Sequence, residues 1–200
     1  MTKTSKAVAI LGGAFDPVHL GHLSLAEDTF RDLSLDEVWF VPTAQSPLKE
    51  NTAGLSKEGR LELLEAALEG YPQFSVNRFE IDRGGVSYTI DSVEHFKSER
   101  PDVSFYWIIG GDQVAQLHKW KNIEALCELM TFVIVSRPGY VIDTAQIPAI
   151  PKLRFLEVES RLLDIASSEI RERIAAGKGV KHLLPKAVGD LIVQKQFYRG

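Results

Sequence analysis

The chain has 200 residues, 44% of them hydrophobic, enough for one sizeable core and not for two independent domains. Its formal net charge is −4 and no basic block stands out, which argues against a nucleic-acid backbone as partner, while a small anion needs only a local positive pocket. The single cysteine, Cys127, excludes an internal disulfide framework and a cysteine-built zinc site, and no apolar run is long enough to span a bilayer.

Met1–Lys6 leads straight into an apolar run with no long apolar segment of a signal peptide, so a cytoplasmic location is expected. Ala7–Leu11 reads as a first strand. Leu20–Leu33 has apolar residues at helical spacing, among them Leu23, Ala26 and Phe30. Glu37–Val41 is a second strand, ended by Pro42. Thr43–Ser56, with Gln45, Ser46, Pro47, Asn51 and Gly54, reads as a long exposed loop of the kind that often serves as a binding element. Lys57–Leu68 places Leu61, Leu64, Ala67 and Leu68 on one side of a helix. Phe74–Ile81 is a third strand, Thr89–Glu99 a helix stopped near Pro101, and Val103–Ile109 a fourth, nearly all apolar strand. Ile123–Leu129 is helical, Thr131–Val135 is a fifth strand, and Phe155–Val158 is a candidate sixth. Gly139–Pro151 is irregular. Ser168–Ala176 and Lys186–Gln194 are terminal helices.

This alternation predicts a single α/β domain over residues 1–200. The expected fold is Rossmann-like and doubly wound, a mainly parallel sheet of five or six strands with helices on both faces. Ligands of such sheets bind beyond the carboxyl ends of the strands, where connections diverge.

The segment after the first strand, Gly12-Gly13-Ala14-Phe15-Asp16-Pro17-Val18-His19-Leu20-Gly21-His22, is suited to an anion. Two glycines let the backbone turn closely around a phosphate. His19 and His22 are three apart and share one face at a helix start, where free N–H groups and partial positive charge favour phosphate. A zinc site is the competing reading of a His pair, but no third ligand stands at a convincing spacing.

His19-Leu20-Gly21-His22 resembles the (His/Thr)-x-Gly-His signature of the nucleotidylyltransferase superfamily. Ser87-Tyr88-Thr89-Ile90-Asp91, Ile108-Ile109-Gly110-Gly111-Asp112, Leu117-His118-Lys119-Trp120 and Asp164-Ile165-Ala166-Ser167-Ser168-Glu169-Ile170-Arg171 resemble, in order, segments of bacterial nicotinate mononucleotide adenylyltransferases. Two departures stand out: Ala166 replaces the family's first Ser and carries no hydroxyl, and Ser168 replaces Thr.

The resemblance implies adenylyl transfer from ATP to nicotinate mononucleotide, giving nicotinate adenine dinucleotide and pyrophosphate in NAD biosynthesis. The nucleophile is already an anion, so positioning and charge neutralisation suffice without a general base. The catalytic set so implied is His19, His22, Lys49 and Arg171. Gly12, Gly13, Phe15, Gly110, Asp112, Ser167 and Ser168 join His19, His22 and Arg171 around ATP, with Asp112 meeting ribose hydroxyls. Residues from about 165 to 200 carry this second phosphate motif. Ser87, Tyr88, Thr89 and Trp120 would hold nicotinate mononucleotide, with Trp120 stacked on the pyridine ring and backbone amides near Tyr88 and Thr89 on its carboxylate. Magnesium is expected with the triphosphate, needing no protein side chain as ligand. Neither nucleic acid nor membrane is an expected partner, and a homo-oligomer is left open.

Several of these residues also have plain structural readings. Ser167 and Ser168 suit a helix N-cap, Arg171 a solvated helix face, and Trp120 a packing anchor. Trp39 and Trp107 are expected in the core. Two alternative functions stay open: a sister enzyme acting on nicotinamide mononucleotide, or a nucleotide-binding module without turnover. A dinucleotide-binding oxidoreductase is disfavoured, because Gly-x-Gly-x-x-Gly is missing after the first strand.

Overall fold

The computed structural model describes residues 5–47, 54–136, 147–160 and 165–199. Six strands, β1 (Ala7–Gly13), β2 (Glu37–Pro42), β3 (Phe74–Val76), β4 (Ser104–Gly110), β5 (Thr131–Ser136) and β6 (Phe155–Glu159), form one sheet in the order β3-β2-β1-β4-β5-β6. All five pairings are parallel. The helices are α1 (Leu20–Asp32), α2 (Lys57–Leu68), α3 (Phe79–Arg83), α4 (Thr89–Glu99), α5 (Gly111–Val114), α6 (Ile123–Leu129), α7 (Ser167–Ala175) and α8 (Lys186–Lys195). A 3-10 turn spans Leu117–Lys119.

The period of two along β1 divides the core. Ala7, Ala9 and Leu11 face one layer with Leu23 and Ala26 of α1, Leu63 and Leu64 of α2, Ile170 and Ile174 of α7, and Val188 and Ile192 of α8. Val8 and Ile10 face the other with Val93 and Phe96 of α4 and Leu126 and Cys127 of α6. Both faces of the sheet are covered, which is why its central strands are apolar throughout. The expected Rossmann-like α/β fold is therefore the observed one.

One expected element differs. The strand foreseen over Phe74–Ile81 stops at Val76, and Phe79–Arg83 is helical. The Asn77 carboxamide oxygen accepts from the Phe79 N–H at 3.1 Å, a turn-forming bond that competes with strand pairing. Gly84 (φ 71°) and Gly85 (φ 70°) then end the short helix in a conformation other residues rarely adopt. The loop foreseen over Thr43–Ser56 and the irregular stretch Gly139–Pro151 lie partly outside the described residues. Where the first is described, Ser56 caps α2 by accepting from the Gly59 N–H at 3.2 Å.

The chain order reverses between β1 and β4, which neighbour each other while β2 and β5 diverge to either side. A crevice beyond the carboxyl ends of β1 and β4 follows from that topology.

Candidate active site

A cavity of about 470 Å³ occupies that crevice. One wall is the end of β1, Gly12, Gly13 and Ala14, with Thr43, Ser46 and Pro47 after β2. Glu80, Ser87, Tyr88 and Thr89 line the cavity as well, with Trp107, Ile108, Gln113, Lys119, Trp120 and Lys121. The cavity thus brings together all four residues expected around the acceptor nucleotide and two of the three glycines expected around ATP, Gly12 and Gly13 but not Gly110.

Gly12 is needed for a reason besides ligand approach: a Cβ there would lie 2.8 Å from Trp107 Cζ2. The Trp107 indole crosses the β1 backbone, so this core residue also shapes the cavity. Trp120 is held edge-on by Trp107 at 6.3 Å and by Phe132 at 5.9 Å between ring centroids. The Lys121 ammonium sits 4.3 Å from the Tyr88 ring centroid and pairs with Asp91 at 3.3 Å. Asp91 also accepts from Arg83 at 2.6 Å, and Arg83 donates to the Val86 carbonyl at 2.7 Å. These contacts tie the Tyr88–Thr89 turn to the Trp120 loop.

The histidines form a second cluster, next along the chain. His19 is the N-cap of α1 and His22 occupies its first turn. Their rings stack with centroids 3.7 Å apart, and the Phe15 ring meets His22 edge-on at 5.0 Å. His22 Nδ1 accepts from the His19 backbone N–H at 3.2 Å. A neutral His22 therefore carries its proton on Nε2, which is left as a donor. His19 is buried and its Nδ1 has no partner among the described residues. Burial pushes the His19 imidazole down to about 4, and burial followed by the neighbouring His19 pushes His22 well below the usual range. Without a ligand both rings are neutral at pH 7. Neither lines the cavity wall; His19 is packed at the helix entrance and His22 remains half-exposed.

The C-terminal motif packs directly on this turn. Ser167 Oγ donates to the Pro17 carbonyl at 2.9 Å, and Arg171 Nη1 donates to the Asp16 carbonyl at 2.7 Å. The amino ends of α1 and α7 thereby converge, and each directs partial positive charge toward its start. Ala166 is the N-cap of α7 and supplies no side-chain bond, and Ser168 is exposed. The Ser167 hydroxyl is thus engaged with the turn. Phe15 is buried at φ 49° in the bend. The Gly110 N–H donates to Gln113 Oε1 at 3.3 Å, and Asp112 lies in the first turn of α5. Lys49, Asp164 and the Asp112 side chain lie outside the described residues.

Three residues that hold the site were not anticipated. Arg60 of α2 is 2% exposed and donates to the Ala14 carbonyl at 2.7 Å and the Thr43 carbonyl at 2.9 Å, joining the loops after β1 and β2. Burial lowers the affinity of its guanidinium for the proton, and nearby Asp16 opposes that effect. Asp16 is itself buried and accepts from Tyr198 Oη at 2.7 Å and from the Gly54 N–H at 2.5 Å, with Arg171 Nη1 at 3.7 Å. The third is Glu80, in the cavity wall.

The cytidylyltransferase-like family pattern matches residues 10–173. A nicotinate-nucleotide adenylyltransferase of Opitutus terrae is 42% identical over 192 residues, covering 96% of this chain and 97% of that protein. One of Bacillus cytotoxicus is 42% identical over 195 residues, 98% of this chain and all of that one. The chain belongs to the nicotinate-nucleotide adenylyltransferase family. The family's fold is shared by the solved nicotinic acid mononucleotide adenylyltransferase of Plasmodium falciparum complexed with NaAD. That structure gives a TM-score of 0.76 at 21% identity, over 96% of this chain and 97% of that one. The family relation covers the residues lining the cavity and the His19–His22 turn.

Proposed function

We propose that this chain transfers the adenylyl group of ATP to nicotinate mononucleotide, releasing pyrophosphate and forming nicotinate adenine dinucleotide. The observation that carries this reading is the cavity between β1 and β4, which brings the glycine turn together with Ser87–Thr89 and Trp120. Its supports from outside are relatives about 40% identical whose names state this activity.

In this reading the 5′-phosphate oxygen of the acceptor attacks the α-phosphorus of ATP in line with the departing pyrophosphate. That oxygen is anionic at neutral pH, so no residue has to remove a proton. The protein's task is to align two nucleotides and offset the charge accumulating on the phosphates. His22 Nε2–H and the amino ends of α1 and α7 face this charge as donors. An incoming triphosphate raises the proton affinity of both imidazoles, reversing the effect of burial, so the pair gains charge as ATP binds. Arg171 adds a fixed cation at the same turn, and Lys49 is assigned beside it on resemblance. Gly110 and Asp112 are assigned to ATP on the same ground. In the cavity, Trp120 offers an aromatic face to the pyridine ring and the amides near Tyr88 and Thr89 receive its carboxylate.

Magnesium is expected with the triphosphate. Among the described residues no group of three or more His, Cys, Asp or Glu converges into a cage for it. Phosphate oxygens and water are its ligands in this reading. No helix of the described residues is long and apolar enough to cross a membrane.

The deciding assay is pyrophosphate release with ATP and either nicotinate mononucleotide or its amide counterpart at equal concentration. Faster turnover of the acid is expected. Equal or faster turnover of the amide would transfer the assignment to the sister activity.

A further inference from the structure

Glu80 is a carboxyl group in an unusual place. It lies on α3, is 2% exposed, and forms part of the cavity wall with Ser87, Tyr88 and Thr89. Its Oε1 accepts from Ser92 Oγ at 2.7 Å, in the first turn of α4. Ser87 lies in the cavity wall with this carboxyl, and its side chain favours the ionised form. Ser87 Oγ in turn accepts from the Ala44 N–H at 2.9 Å, and the Ser87 N–H donates to the Gln45 carbonyl at 2.8 Å. The carboxyl group therefore holds the α4 flank of the Tyr88–Thr89 step, while Ser87, in the same wall, links the other flank to the loop after β2.

The arrangement is costly to keep. Burial pushes the carboxyl up, and the two serine hydroxyls, with Arg83 nearby, only partly oppose this while Asp91 adds to it. Arg83 makes its hydrogen bonds to Asp91 and the Val86 carbonyl. Oε2 is buried with no partner among the described residues. A side chain serving only to fill this space would be better as an apolar residue of similar size, since an unpaired carboxyl oxygen in the interior is unfavourable.

We infer that Glu80 is a positioning residue for the acceptor nucleotide, fixing the Tyr88–Thr89 backbone through Ser92 so that its amides face the ring carboxylate. The inference rests on the assignment of those amides to nicotinate mononucleotide. It assigns Glu80 no contact with ATP, because its hydrogen bond goes to Ser92 of α4, on the acceptor side.

The test compares Glu80→Leu, Glu80→Gln and Ser92→Ala with the wild type, measuring KM for each substrate, kcat and the thermal midpoint. Glu80→Leu is expected to raise the acceptor KM roughly tenfold or more, leaving the ATP KM within about twofold. Its melting point should stay within about 3 °C of the wild type. Glu80→Gln keeps an acceptor oxygen for Ser92 and should restore the acceptor KM to within about threefold. Ser92→Ala, a milder change, should raise the acceptor KM alone. An unchanged acceptor KM in Glu80→Leu and Ser92→Ala, or an equal rise in both KM values, would overturn the inference. If Glu80→Leu does not fold, Ser92→Ala decides by the same criterion. A wild-type protein inactive on nicotinate mononucleotide would instead refute the functional assignment itself, and this inference with it.

Discussion

Replacing Gly12 by alanine places a methyl group 2.8 Å from Trp107 Cζ2, about an ångström inside ordinary carbon–carbon contact. The indole cannot yield freely, because it is buried and meets Trp120 edge-on at 6.3 Å. Overpacking of this kind costs about 1–3 kcal/mol, and the strand preference of alanine over glycine returns about 0.5–1 kcal/mol. A net loss of about 1–2 kcal/mol lowers the melting point of a chain this size by roughly 2–8 °C. The displaced indole shifts the cavity wall on which Trp120 leans. A misplacement on the order of 1 Å can lower kcat/KM by about a hundredfold. Gly189→Ala is the control: a Cβ there meets nothing within 4 Å, in the interior of α8, so it should raise stability by about 0.5–1 kcal/mol. Differential scanning calorimetry and pyrophosphate-release kinetics on both variants read the two effects. A Gly12→Ala protein with an unchanged or higher melting point and kcat/KM within about twofold would refute the packing argument.

Other outcomes follow from the same geometry. Trp120→Ala should raise the acceptor KM roughly ten- to a hundredfold, from about 1–3 kcal/mol of lost stacking, and leave the ATP KM nearly unchanged; a selective rise for ATP would reverse the two subsites. Arg60→Met leaves the Ala14 and Thr43 carbonyls without their donors and should cost about 2–4 kcal/mol in urea unfolding; a loss under about 0.5 kcal/mol would contradict its bridging role. The His19 imidazole is held near 4 against 6.5 for an unperturbed histidine, so below pH 6.5 the unfolded chain binds the proton more readily. Stability should therefore fall as pH drops from about 6.5 toward 4, by about 2–3 kcal/mol between pH 7.5 and 4.5 for this residue. Unfolding titrations of wild type and His19→Gln at those two pH values measure it, and identical pH slopes would contradict the burial assignment.

The apolar continuity of Val103–Ile109 and of Ala7–Leu11 made the parallel sheet legible, because strands covered on both faces have few polar positions to obscure the pattern. The acceptor wall was legible because Ser87–Thr89 and Trp120 are read by resemblance and lie beyond strand ends. Glu80 escaped notice because Phe74–Ile81 alternates like a strand until Asn77 and Gly84 impose a helix, a contest decided by turn chemistry. Arg60 sits in a helix where an arginine ordinarily meets solvent, and only the carbonyls of two distant loops reveal it as buried. Tyr198 reaches Asp16 across 182 positions of sequence, a contact no local pattern encodes. Ser167 was read as a phosphate ligand or a cap, and its observed bond to Pro17 shows how α7 is pinned to the first turn.

The account depends most on the His19–His22 turn acting on ATP although both rings are packed against each other outside the cavity wall. Steady-state pyrophosphate release by His22→Ala, with ATP and nicotinate mononucleotide saturating and the melting point recorded alongside, addresses this directly. Loss of one preorganised donor to the phosphates predicts a fall in kcat of roughly a hundredfold or more with the fold intact. A folded variant retaining near-wild-type kcat would show that these imidazoles serve packing alone.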